Sequence, residues 1–210
     1  MSMKLSVKAA VRPRDAASLV LYRKQAGQIR VLMGKRAKAH RFLPNVFVFP
    51  GGRVDASDHR MPALKPLKES VAHQLSQPGN KAHAIGCAAV RETFEETGLT
   101  IGQSEDQFIK PDLSGLDYLA RAITPAHNPI RFNTRFLMVD ADHSSGSLAG
   151  SGELLHLQWF PIEDALAMPL VDVTEFVLIE LKNRLANPSR PPAVPPLFTY
   201  RNGKAMVTRG

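Results

Sequence analysis

A chain of 210 residues with 44% hydrophobic and 22% charged residues is long enough to bury one well-packed core, which excludes wholesale disorder and gives no reason to expect two domains. Its one cysteine, Cys87, excludes an intramolecular disulfide and fits a reducing compartment, and its apolar runs are too short to span a bilayer. The net charge of +8 asks for an anionic partner; phosphorylated small molecules fit it as well as RNA does, and with no aromatic-basic array neither a specific nucleic-acid partner nor a membrane is expected.

Residues 1–14 are basic and free of acids but hold no apolar h-region, so a secretory signal is not expected. A cytoplasmic location is the expectation, with a mitochondrial address left open by the same composition. Residues 16–23 and 28–36 read as two strands around Gln25, Ala26 and Gly27, a hairpin opening a sheet. The following stretch carries Lys35, Arg36, Lys38, His40 and Arg41, a set that could grip phosphates or simply blunt an edge strand. Phe49 and Pro50 then run into Gly51 and Gly52, a turn where backbone can approach a ligand closely. Pro66 could open a short helix with Leu67, Val71 and Leu75 as its stripe, and Asn80 is a candidate N-cap for the next one.

In that next helix Glu92, Glu95 and Glu96 fall at i, i+3 and i+4, spanning roughly 100° of surface, with Cys87, Val90 and Phe94 roughly opposite. Like charges at this spacing repel by a few tenths of a kcal/mol per pair, so a shared divalent cation such as magnesium is the functional reading and a solvated acidic face the plain one. Arg91 lies four residues before Glu95 and can hold a carboxylate in place, and Gly98 stands where a left-handed C-cap is wanted.

Further on, residues 99–102 suggest a short strand, 112–123 a helix with Leu113, Leu116 and Leu119 at helical spacing, and 131–139 a strand ending in Asp140 and Asp142. Residues 144–152 form a small-residue loop, and 153–161 a strand containing Trp159, with His156 at its surface. An amphipathic helix over 171–185 presents Val173, Phe176, Val177, Leu181 and Leu185 to the sheet, and 188–196 is a stiff proline-rich connector. Asn202-Gly203 turns a closing hairpin between 198–201 and 204–208, and the tripeptide after it does not match a peroxisomal signal.

Arg91, Glu92, Glu95, Glu96, Gly98 and Leu99 together resemble the second half of the box that marks the Nudix hydrolases. That resemblance implies an α/β fold, an α/β/α sandwich with a mixed central sheet, in a single domain with an insertion at about 53–80 and a C-terminal hairpin at about 197–208. It implies Mg2+, with Mn2+ as the alternative, held by Glu92, Glu95, Glu96 and the Gly51 carbonyl. Arg91, Glu92, Glu95 and Glu153 are the implied catalytic residues, with Glu92 and Glu153 as candidates for the general base.

The box is interrupted. The family places thirteen residues between its glycine and arginine, whereas 53–90 separate Gly52 from Arg91 here, twenty-five more. Counting back from Arg91 puts His83 where the family has a spacer glutamate, and Thr93 replaces an apolar residue. The insertion is expected to border the substrate cleft. Leu32, Lys35, Arg36, Arg41 and Phe49 to Gly52 also resemble the element preceding the box in coenzyme A diphosphatases, with Gly34 and Asn45 departing from it. This implies cleavage of coenzyme A or acyl-CoA to 3′,5′-ADP and 4′-phosphopantetheine, with Lys35, Arg36, Arg41 and Gly52 on the substrate. The alternatives are another Nudix pyrophosphatase acting on ADP-ribose, NADH or nucleoside triphosphates, and an inactive nucleotide-binding or regulatory protein. A homodimer is compatible with each.

Overall fold

The computed structural model describes residues 11–37, 45–106 and 108–209. Strands β1 (Arg14–Gln25) and β2 (Gln28–Arg36) form the expected hairpin, turning at Ala26 and Gly27, whose φ angles of 50° and 75° suit a tight turn. From the turn the two strands pair between Gln25↔Gln28 and Tyr22↔Val31 and beyond that point they part. Into the fork between them fits a small hairpin, β3 (Phe47–Val48) against β2 and β4 (Gly51–Arg53) against β1. This splay brings the glycine turn into the middle of the sheet.

A short hairpin, β5 (Gly102–Glu105) and β6 (Phe108–Pro111), stands apart from the main sheet. The expected strand at 99–102 therefore does not enter the main sheet; Thr100 makes only an isolated bridge to Ser145. Beyond β1 lie β7 (Asp117–Ile123) and β8 (Phe132–Asp140), with β8 parallel to β1 and antiparallel to β7. β9 (Leu154–Pro161) pairs with β2, and β10 (Leu197–Arg201) and β11 (Lys204–Thr208) close the opposite edge, so parallel and antiparallel pairs mix in one nine-stranded sheet.

Strand alternation splits the core between the two faces. Leu19 and Leu21 of β1 and Leu32 of β2 join Ile85, Ala88 and Ala89 on one face, whereas Val20, Val31 and Met33 join Phe176, Val177 and Leu181 on the other. The first face is covered by α1 (Glu69–Leu75) and α2 (Ala82–Thr97), the second by α3 (Ile162–Ala167) and α4 (Asp172–Ala186). The result is an α/β/α sandwich, as expected. The stripe foreseen on α4 is the one that packs, with Val173 and Leu185 at its partly buried ends.

Three local expectations fail for identifiable reasons. Residues 112–123 are not helical: Asp112 accepts from the Ser114 amide, a turn brings the Leu116 amide to the Leu113 carbonyl, and β7 follows. Leu113 and Leu116 thus fall on the α2 face and Leu119 on the other, so their three-residue spacing comes from a turn followed by strand alternation. Asn80 does not cap α2; Lys81 is the N-cap residue, without a side-chain cap, and its ammonium binds Asp15 instead. α1 begins at Glu69, not Pro66, though Val71 and Leu75 are buried and Leu67 packs beside them as foreseen.

Candidate active site

Helix α2 ends at Gly98, whose φ of 74° gives the left-handed C-cap and whose amide donates to the Phe94 carbonyl. The expected division of the helix into an apolar and an acidic side is too simple. Cys87 and Val90 are buried, but Phe94 is only half-buried, while Thr93, Glu96 and Thr97 are buried. Thr93 tolerates burial because its hydroxyl donates to the Ala89 carbonyl at 2.8 Å, as Thr97 does to the Thr93 carbonyl at 2.6 Å. Burial pushes the Cys87 thiol up to about 12, so it is an inert core residue.

Glu96 is 5% exposed and turns toward the glycine turn, where the Gly51 amide donates to its carboxylate at 2.8 Å. Glu92 lies flat against Gly52: a Cβ on Gly52 would meet the Glu92 carboxylate at 2.4–2.5 Å, so only glycine permits this approach. Gly51 is equally constrained, since a Cβ there would meet the Ala17 carbonyl oxygen at 2.5 Å and its φ is 153°. The two glycines thus let two acids of one helix close on one turn of backbone. Burial pushes Glu96 up to about 8, with Glu92 and Glu153 adding to the rise and the Gly51 amide and Arg36 opposing it. Glu92 is also raised, chiefly by burial, against the pull of Arg91.

Arg91 organises the rest. Its Nε and Nη2 donate to the two oxygens of Asp58 at 2.8 and 3.0 Å, its Nη1 to Glu92 at 2.9 Å and Glu95 at 3.1 Å, and its Nη2 also to the Arg53 carbonyl. Burial works against its charge, but the Asp58 bond and the charges of Glu92, Asp58 and Glu95 prevail and hold its pKa above the usual arginine value. Asp58 is 0% exposed and also accepts from the Asp55 amide at 2.7 Å.

Asp58 was missed in the sequence and corrects the alignment of the box. Counting back from Arg91 placed His83 at the spacer-acid position, but His83 points its Nε2 at the Met61 carbonyl, 2.8 Å away, and takes no part among the glutamates. Counted forward from Gly52, the same position is the sixth residue, Asp58. The extra residues therefore follow Asp58, and the signal was available as an acid at the right distance from the glycine end.

The remaining candidates separate. Arg36 lies close enough to Glu96, Glu153 and Glu92 for their charges to support its own, although burial lowers its pKa overall. Glu153 is exposed at the start of β9, its carbonyl accepting from the Ala37 amide, with its charge felt at Glu96. Lys35 is carried by strand alternation to the opposite face from Arg36, that of Met33, and does not join the acids. Arg41 lies outside the described residues. Glu95 is half-exposed and turned to Arg91. Accordingly, among the described residues no three His, Cys, Asp or Glu side chains are gathered as a ready metal site. The donors nonetheless suit a hard cation: Glu92 and Glu96 offer only oxygen, and their raised pKa values mark negative charge that a cation would relieve. His156 is exposed, at a φ of 52° where β9 slips register on β2.

A mixed sheet between helical layers, with an acidic helix closed on a glycine turn, is the arrangement that the resemblance to the Nudix hydrolases implied. No protein-family model matches the chain. It is 26% identical, over 93% of its length and 71% of the relative's, to a Caenorhabditis elegans protein named as nudix hydrolase 7. A segment covering 34% of the chain, and 25% of the other protein, is 31% identical to the Xenopus laevis acyl-coenzyme A diphosphatase NUDT19. Among solved structures, a NUDIX hydrolase from Alicyclobacillus acidocaldarius superposes with a TM-score of 0.66 at 28% identity, over 80% of this chain and 90% of that one. Over most of its length the chain is thus similar to Nudix hydrolases, in sequence to the first of these relatives and in fold to the solved structure. Among the described residues no helix is long and apolar enough to cross a membrane.

Proposed function

We propose that the chain, acting as one domain, hydrolyses the diphosphate linkage of a nucleoside diphosphate derivative, and that coenzyme A or acyl-CoA is the substrate, released as 3′,5′-ADP and (acyl-)4′-phosphopantetheine. The observation that carries the reading is the convergence of Glu92 and Glu96 on Gly51 and Gly52, with Arg36 beside them. Glu92 and Glu96 would hold Mg2+, or Mn2+, with Glu95 free to join once it leaves Arg91. That ion, when bound, neutralises the diphosphate and lowers the pKa of a bound water. Arg91, locked by Asp58, keeps Glu92 aimed at the turn and acts through it as a positioning residue. Arg36 draws the anionic substrate toward the acids, and Glu153, exposed and near enough for its charge to act on Arg36, accepts the proton of the attacking water.

The coenzyme A assignment draws on the spacing of Leu32, Arg36 and Phe49 to Gly52 and on the relative named as an acyl-coenzyme A diphosphatase. The position of Lys35 on the other face favours a second reading, in which the chemistry is kept and the substrate is ADP-ribose, NADH or a nucleoside triphosphate. A panel of CoA, acyl-CoA, NADH, ADP-ribose and dNTPs, incubated with magnesium, decides between them. Preferential release of 3′,5′-ADP is expected, with Glu96→Gln slowing it on the order of 10²-fold or more. Binding of every compound without turnover would overturn the enzymatic reading.

A further inference from the structure

The β1–β2 hairpin holds an electrostatic arrangement that the catalytic centre does not use. Arg23 and Arg30 stand directly opposite each other across the two strands. Both continue the rows of Leu21 and Leu32, which face α2, so both lie on that face of the sheet. Like charges directly opposite in an antiparallel pair are destabilising. Residues 16–36 contain no Asp or Glu, nor does β9 alongside, and among the described residues neither arginine makes an ion pair.

Their hydrogen bonding is as incomplete as their charge balance. The Nε atoms of both are buried with no acceptor. Arg30 spends Nη1 on the Trp159 carbonyl at 3.3 Å, and among the described residues the Arg23 side chain makes no hydrogen bond; its guanidinium lies over the Trp159 ring, 4.5 Å from the centroid. The indole fixes the plane of one guanidinium and the β9 backbone anchors the other, while both side chains remain half-exposed. Buried guanidinium donors without acceptors are costly, and a tetrahedral oxyanion supplies both the missing acceptors and the missing charge.

We propose that Arg23, Arg30 and Trp159 form a second anion site that takes a phosphate group of a small ligand. Arg36 lies six residues beyond Arg30 on β2, about 20 Å of strand at ~3.3 Å per residue, so the site is distinct from the bond-breaking centre. The phosphate belongs either to the distal end of an extended substrate or to a separate ligand; the chemistry of recognition is the same.

The test uses the full chain with chelator present, so that the carboxylate site holds no cation, and orthophosphate as probe against chloride at matched ionic strength. Orthophosphate should raise the melting temperature of the wild type, and its apparent affinity should fall at least tenfold in Arg23→Gln and in Arg30→Gln, with Arg201→Gln unchanged as a control. Without phosphate, both variants should melt at or above the wild-type temperature, because the like-charge pair has been relieved. If Arg23→Gln does not fold, Arg30→Gln carries the measurement. An equal orthophosphate response in wild type and variants, or one reproduced by chloride, overturns the proposal. Turnover with magnesium then separates the sources. A preference for a substrate bearing a distal phosphate monoester that disappears in the variants assigns the phosphate to the substrate; a preference that survives while orthophosphate binding is lost assigns it to a separate ligand. Because the binding arm needs no turnover, its outcome stands apart from that of the hydrolase reading.

Discussion

At the scale of single residues the site depends on two acids that tolerate burial for opposite reasons. Asp58 accepts two hydrogen bonds from Arg91, and its removal would leave the guanidinium, 13% exposed, without its fully buried carboxylate partner. Asp58→Ala should therefore destabilise the fold by roughly 3–5 kcal/mol, read as a shift in the denaturant midpoint, and should lower kcat as Glu92 loses its fixed partner. Glu96 is instead poorly compensated. Its pKa rises from 4.5 to about 8 on folding, so between these values the folded chain holds a proton that the unfolded chain releases. Metal-free stability should accordingly fall as pH rises from about 4.5 to about 8, and Glu96→Gln should flatten that slope in melts taken across the range. Binding of magnesium near pH 7 should release a proton, visible as a dependence of calorimetric heat on buffer ionisation enthalpy.

At the scale of elements, the glycine turn and the insertion have separable roles. Gly52→Ala would drive a methyl into the Glu92 carboxylate without forcing the backbone into a left-handed conformation. It should weaken magnesium binding by roughly 10- to 100-fold while moving the melting temperature little, a comparison made by titrating magnesium against activity. The insertion was expected to border the cleft; Asp58, next to the glycine turn, pairs with Arg91, whereas α1 is packed elsewhere. α1 packs against α2 and β7; Gln74 bonds the Pro192 and Ala193 carbonyls and Lys68 pairs with Asp117, all toward the edge of the sheet away from Arg36 and Glu153. Leu75→Ala, at a residue 1% exposed, should cost about 2–5 kcal/mol in unfolding experiments yet leave kcat within a factor of about 3. A large fall in kcat with retained stability would show that α1 acts as a lid.

At the scale of the whole molecule, the chain carries a net charge of +8, and residues 16–36 of the β1–β2 hairpin hold five cations and no acid. Long-range attraction of an anionic nucleotide should therefore be screened by salt. Raising ionic strength from ~0.05 to ~0.5 M shortens the Debye length from above 10 Å to below 5 Å and should raise KM more than it lowers kcat, measured in initial-rate assays. The fork between β1 and β2 is the architectural device behind the site. Because the strands part before Tyr22 and after Val31, the β3–β4 hairpin can bring Gly51 and Gly52 under α2.

Much of this was legible in residues alone. The first and last hairpins, the C-cap at Gly98, α2, the stripe of α4 and the three glutamates followed from local periodicity, turn chemistry and spacing, which are properties of neighbouring residues. What tertiary structure decided lay between residues distant in sequence. Which acid pairs with Arg91 depended on where the insertion begins, and Asp58 could win that place over His83 only because the chain folds back from Gly52. The burial of Glu96 and the parting of Lys35 from Arg36 also required the sheet. Leu113, Leu116 and Leu119 looked helical because spacing alone does not distinguish one helix face from a turn followed by a strand; packing on opposite faces of the sheet does.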